Sequence, residues 1–252
     1  MTMLQGRRAV ITGGGTGIGL ACARDLAQHG AEVILMARNL DRLQAAAAEI
    51  EGASAIQLDV TDDASVADAF KSAQAGGPVD ILINNAGIAA ASAFHKTSME
   101  EWRRIQAVNV EGLVRCSLAV IDDMRKSDFA RIVNIASIAG LRGGAYISPY
   151  VASKHAVVGL TKSLSLEYAH TQLTVNAICP GYVDTAIVDN SVANIMAKTG
   201  RSRDEALAEL TKNNPQGRLI APEEVAEAVS WLCSPLSASV SGQAIMVSGG
   251  AI

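Results

Sequence analysis

Short apolar runs rich in Val, Ile and Leu recur along the chain, separated by longer stretches whose apolar residues return every three or four positions. Arg8–Thr12 (RAVIT), Glu32–Ala37 (EVILMA), Ala53–Leu58, Val79–Ile83, Arg131–Ala136 (RIVNIA), Leu173–Cys179 (LTVNAIC) and Gln243–Val247 (QAIMV) read as strands. Gly17–His29 reads as a helix, with Ile18, Cys22 and Leu26 spaced by four and Gly30 as its stop. Leu40–Ile50 favours helix by propensity. Asp62–Gln74, Ser98–Met124, Pro149–His170 and Pro222–Cys233 complete the predicted helices. Asp184–Gly217 shows no strand pattern, only helical, charged stretches.

Strand and helix alternate to the end. That pattern predicts an α/β fold, a doubly wound parallel sheet of about seven strands with helices on both faces. No linker, repeat or low-complexity segment divides residues 1–252, so the chain reads as one domain. In such sheets ligands lie beyond the carboxyl ends of the strands, near the point where strand order reverses. Chemistry is therefore sought just after strands.

Composition narrows the class. Hydrophobic residues make up 49% of the 252 and charged residues 18%, which excludes bulk disorder. Aromatics are only 4%, leaving the core to aliphatics, as buried parallel strands prefer. A net charge of −4 argues against general nucleic-acid binding. Cys22, Cys116, Cys179 and Cys233 form no CxxC pair and sit among apolar neighbours, as reduced core residues would. No apolar run is long enough for a membrane span, and Met1–Gly6 lead into the first strand without a signal-like core. The expected location is the cytoplasm. His29, His95, His155 and His170 share no ligand spacing, so no metal site is expected.

Four groups of residues carry candidate chemistry. Thr12-Gly13-Gly14-Gly15-Thr16-Gly17-Ile18-Gly19 follows the first strand and opens the first helix, with spacing GxxxGxG. Glycines there allow a tight turn and close approach of a diphosphate to the helix N-terminus; a glycine turn with no ligand is the plainer reading. Tyr150 and Lys154, four apart, share one helix face, with Ser148-Pro149 as N-cap and first helical residue. A phenol ionises near pH 10, and a nearby ammonium favours the phenolate. Ser137 follows the fifth strand, where its hydroxyl can serve a substrate oxygen or simply a turn. Asn109 is polar within an apolar helix and needs buried partners, a structural bond to a neighbouring strand being the plainer reading.

Taken together and in order, Thr12–Gly19, Asn84-Asn85-Ala86-Gly87, Asn109, Ser137, Tyr150/Lys154 and Pro180-Gly181 resemble the short-chain dehydrogenase/reductase family over essentially the whole chain. The resemblance implies a Rossmann fold. It implies Tyr150 as general acid–base and Ser137 as the group that positions the substrate oxygen. It implies that Lys154 binds the nicotinamide ribose and lowers the Tyr150 pKa, and that Asn109 holds a water in a proton relay behind it. Gly13, Thr16, Gly17, Ile18 and Gly19 would wrap the diphosphate, and Asp59 and Val60 would border the adenine. Asn85, Ala86 and Gly87 would pack by the adenosine ribose, and Pro180, Gly181, Val183 and Thr185 would hold the carboxamide. Where the resemblance would put an NAD-selecting Asp stands Ala37, followed by Arg38 and Asn39; a guanidinium can grip a 2′-phosphate. Thr16 argues back, since many NADP-dependent relatives carry a basic residue there. NADP is thus the expected cofactor, with NAD as the alternative.

The function that follows is hydride transfer between nicotinamide C4 and a secondary alcohol or ketone, with no metal needed because Ser137 and Tyr150 stabilise the developing alkoxide. The overall pattern is similar to 3-oxoacyl reductases, 3-hydroxyacyl-CoA dehydrogenases and polyketide-type ketoreductases, so a 3-oxoacyl thioester is the first substrate expected and a cyclic or steroid-like alcohol the second. A non-catalytic NAD(P) sensor would be expected to lose Tyr150 or Lys154, and both are kept. Epimerases and dehydratases of related fold carry a longer C-terminal substrate domain. Residues 184–217 are expected to form a substrate lid, its apolar Ile187, Val188, Val192, Ile195 and Met196 mixed with Lys198, Arg201, Arg203 and Lys212. The two long helices carry apolar residues on more than one face, and in the family the chain resembles such helices pair across a two-fold axis, so the resemblance implies a homotetramer, with a small molecule rather than nucleic acid or membrane as partner.

Overall fold

A computed structural model describes residues 2–212 and 214–251. Seven strands, β1 (Arg8–Thr12), β2 (Glu32–Ala37), β3 (Ser54–Gln57), β4 (Ile81–Asn84), β5 (Ala130–Ile135), β6 (Leu173–Pro180) and β7 (Ala244–Val247), form one sheet. Every neighbouring pair is parallel, in the order β3-β2-β1-β4-β5-β6-β7. The order reverses between β1 and β4, so the predicted crevice lies there.

Side chains of successive strand residues point to opposite faces, and both faces are covered. Ala9, Ile11, Val33, Leu35, Ile81 and Ile83 pack against α1 (Gly17–Gln28), α2 (Leu40–Ala48) and α9 (Pro222–Cys233). Val10, Ile34, Met36, Leu82, Ile132 and Val175 pack against α3 (Asp63–Gln74) and the later α5 (Gly112–Met124). The long α6 (Ser148–Glu167) lies on this second face through Val157 and Val158, beside Ala177 and Cys179. Removing a Leu- or Ile-sized side chain from water stabilises by about 1.5–3 kcal/mol. With so few aromatics, that layer of aliphatics on each face holds the sheet.

Two predicted features change. The helix expected over Ser98–Met124 is interrupted: α4 (Met99–Gln106) runs into a π-helical turn at Ala107–Glu111 before α5 begins. Asn109 sits at the middle of that turn, its side chain held by partners outside the helix. Ser148 does not cap α6 but belongs to its first turn; Ile147 precedes it, and no side chain caps that end. Pro149 there has no N–H to satisfy. Two other helix starts are capped by side chains, Asp62 accepting from the Ser65 amide and Ser98 from that of Glu101. Beyond β6 lie α7 (Ala186–Thr199) and α8 (Arg203–Thr211), with Asn213 of the expected lid outside the described residues.

Candidate active site

The glycine loop runs from the end of β1 into α1. An atom added at Gly19 Cβ would lie 2.3 Å from the Gly13 carbonyl oxygen and 2.5 Å from Asn85 Nδ2, so only glycine permits this turn. Gly17 takes a φ of 53° and lies against Thr185, the residue that starts α7. Thr16 makes no side-chain cap at α1, and its first turn holds no acid. The positive end of the helix dipole thus faces outward, the arrangement that suits a diphosphate. The loop is tied to the neighbouring strand. Thr12 Oγ1 accepts from the amides of Asn85 at 3.0 Å and Ala86 at 3.1 Å, while Asn85 Nδ2 donates to the carbonyls of Thr12 and Gly13. Thr12 was readable only as part of a motif; its buried position at a strand's carboxyl end is the signal for its role.

On the other side of the crevice, Tyr150 stands in the first turn of α6, with Ser137 at the end of β5 within reach of its phenol. Burial raises the phenol's pKa, and the Ser137 hydroxyl pulls it partly back. Lys154 is 5% exposed, and its ammonium donates to the Ile135 carbonyl at 2.8 Å, 5.7 Å from the centre of the Tyr150 ring. Its pKa falls to about 8 because burial penalises the charge. Lys154 is not among the groups that shift the Tyr150 phenol here; its ammonium is turned toward a backbone carbonyl.

Asn109 uses its whole amide. Oδ1 accepts from the Ile88 amide at 2.8 Å, and Nδ2 donates to the Ile88 carbonyl at 2.9 Å and Ser153 Oγ at 3.0 Å. Ser153 in turn donates to the Tyr150 carbonyl at 2.7 Å. Asn109 thus bonds to the loop after β4 and to α6, not to a strand. Gly87 borders both groups: its Cβ position lies 3.4 Å from Asn109 Oδ1 and 3.6 Å from Lys154 Nζ. Ser153 was missed from sequence, though a hydroxyl one turn after a candidate tyrosine is a usable sign.

The remaining candidates divide. Pro180 ends β6, the Gly181 amide donates to Val247, and Val183 pairs with Ile220, which brings this segment over the crevice. Asp59 accepts from the Thr61 amide and hydroxyl, which hold its carboxyl below the usual range, with Arg38 adding to the effect. Val60 backs onto Gly112 at the start of α5. Arg38 is exposed and opens, with Gln57, Asp59, Ser65 and Asp68, into a cleft of about 480 Å³ at the β3 edge, away from Tyr150. Asn39 is spent in capping α2, accepting from the Arg42 amide at 2.9 Å. Arg42 itself was overlooked: its stem lies against Gly15 of the glycine loop. Among the described residues no cluster of three or more His, Cys, Asp or Glu could hold a metal ion, and no helix is long and apolar enough to cross a membrane.

Comparison with known proteins bears on this geometry. Residues 7–195 match the model of the family described as short chain dehydrogenase. A putative ketoacyl reductase of Streptomyces coelicolor is 38% identical over 251 residues, covering 96% of this chain and 95% of that protein. A D-beta-hydroxybutyrate dehydrogenase of Rhizobium meliloti is 35% identical, covering 97% and 98%. The crystal structure of a single-residue variant of actinorhodin polyketide ketoreductase with NADPH superposes with a TM-score of 0.95 at 36% identity, over 100% of this chain and 99% of that one.

Proposed function

The chain belongs to the short-chain dehydrogenase family and is an oxidoreductase acting on CH–OH groups; on that premise we propose that it uses NADP and reduces a 3-oxoacyl thioester. The observation that carries this reading is the convergence of Tyr150, Ser137 and Lys154 beside an uncapped, acid-free helix start. When bound, the nicotinamide supplies the hydride. Tyr150, kept protonated by burial at neutral pH, gives its proton to the substrate oxygen as negative charge grows there. Ser137 donates a hydrogen bond to the same oxygen. Lys154 holds the ribose hydroxyls of the cofactor, and Asn109, through Ser153, fixes the helix turn that carries Tyr150 and holds the relay water. Gly13, Thr16, Gly17, Ile18 and Gly19 receive the diphosphate, Asp59 and Val60 the adenine, Asn85 to Gly87 the adenosine ribose, and Pro180, Gly181, Val183 and Thr185 the carboxamide. NADP is favoured because Ala37 offers no acid to repel a 2′-phosphate and the exposed Arg38 follows it, beside Asn39.

Residues 184–217 serve as the substrate lid. The protein works as a homotetramer in the cytoplasm, a reading supported by the exposed Leu118 of α5, Leu166 of α6 and Trp231 of α9 and by four buried free cysteines. Light scattering at micromolar concentration tests the assembly: a mass near four times 26.1 kDa is expected, and a monomer overturns it. The cofactor reading is tested by calorimetry. Arg38→Ala should weaken NADPH binding about tenfold and leave NADH binding little changed; equal effects on both would remove Arg38 from phosphate recognition. A panel of 3-oxoacyl thioesters, cyclic ketones and steroids, followed by absorbance of reduced cofactor, tests the substrate class. The thioesters should show the highest kcat/KM.

A further inference from the structure

Four cations stand in the segment assigned to the lid, and three are already matched with carboxylates. Arg203 meets Asp189 at 3.0 Å, Arg201 meets Glu209 at 3.2 Å, and Lys212 also pairs with Glu209. Lys198, in the last turn of α7, has no carboxylate partner among the described residues. Its ammonium instead reaches the opposite wall of the crevice and donates to the Ala91 carbonyl at 3.5 Å. That contact is long for a hydrogen bond to a neutral acceptor, and an anion would displace it readily.

The place where Lys198 lands is tied to the candidate chemistry. Ala91 adjoins Ser92, whose amide donates to the Tyr146 carbonyl at 2.8 Å. Tyr146 lies one helical turn's length before Tyr150 and holds a φ of 67°, the left-handed region that bulky residues rarely enter. A strained residue thus pins the wall against the segment that carries Tyr150, and the wall residues Ile88, Ala89, Ala90, Ala91, Ala93 and Phe94 bring no acid to compete for the ammonium. Lys198 hangs over this rim.

We propose that Lys198 is a specificity-determining residue that recognises an anionic group carried by the substrate away from its reacting carbonyl, either a carboxylate or a phosphate. The proposal rests on the ketone-reductase reading above and narrows it. Among the described residues, Lys198 is the lid cation with no carboxylate to give up, a distinction the sequence alone left open.

The test compares Lys198→Met and Lys198→Glu with the parent on two matched pairs: a 3-oxo acid against its methyl ester, and 3-oxobutanoyl-phosphopantetheine against 3-oxobutanoyl-pantetheine. Circular dichroism confirms that both variants fold. The ratio of kcat/KM for the charged over the neutral member should fall at least about threefold in Lys198→Met, and further in Lys198→Glu, mainly through KM. In the parent, the KM for the charged member should rise with salt, and Lys198→Met should blunt that rise. The pair that responds identifies the anion. An unchanged ratio in both pairs overturns the role of Lys198 while the reductase reading stands. A parent that turns over none of the four ketones overturns that reading and Lys198 with it.

Discussion

The two walls of the crevice are built differently. On the side of the glycine loop, Thr12 and Asn85 form a mesh of four hydrogen bonds between the ends of β1 and β4, with the large apolar core directly beneath. On the lid side, α7 and α8 share a small cluster of their own, Val188, Val192 and Ala206, and their outer surface is laced by exposed ion pairs. The lid is held at its base by the Asp184 amide bond to Ile220, beside the Val183–Ile220 pairing, and reaches the body again through the long Lys198–Ala91 contact. On the proposed function, stability is thus concentrated where a ligand's charge would be met by fixed donors, and thin where a substrate would enter.

The strongest way to break the first wall is Gly19→Ala. The added methyl meets the backbone carbonyl of Gly13 and cannot be relieved by a side-chain rotation. It should cost about 3 kcal/mol and abolish calorimetric NADPH binding. Thr12→Val keeps the shape but leaves two amides without their acceptor. A loss of about 1–3 kcal/mol in denaturant unfolding is expected. The same scale of damage in the lid should read differently. Val192→Ala opens a void in a cluster isolated from the main core, so hydrogen exchange should speed up over residues 186–211 while the global melting temperature stays nearly constant. An equal fall in melting temperature for Thr12→Val and Val192→Ala would erase the contrast between the walls. Removing an exposed lid pair through Arg203→Ala should cost less than about 1 kcal/mol.

Lys154 gives the contrast a pH signature. Burial lowers its pKa from 10.5 to about 8 in the folded chain. Between those values the unfolded chain binds more protons at this site, so its contribution to stability rises with pH across that window and is flat below it. Unfolding free energies from pH 7 to 10 should therefore show the parent gaining on Lys154→Met. A constant gap would mean that the ammonium is not desolvated.

Much of this was legible from the chain because the apolar pattern is set by local chemistry. Seven strand cores and most helix positions follow from the aliphatic runs and their spacing. What escaped was set by contacts distant in sequence. The π-helical turn at Asn109 answers to Ile88 and Ser153, which no period in residues 98–124 records. Thr12 and Ser153 are ordinary hydroxyl residues until the strands and helices bring their partners near. The identity of the unpaired lid cation depends on side-chain pairing across a turn, and composition treats Lys198 and Arg201 alike.

In the proposed reaction Tyr150 supplies the proton while the cofactor is held independently of it. One stopped-flow measurement tests it most directly: NADPH oxidation by a 3-oxoacyl thioester in parent and Tyr150→Phe, alongside NADPH affinity for each. Loss of the phenolic proton should slow oxidation by about a hundred- to ten-thousand-fold, with NADPH affinity within a few-fold of the parent. Oxidation that persists at more than about a tenth of the parent rate would contradict the account.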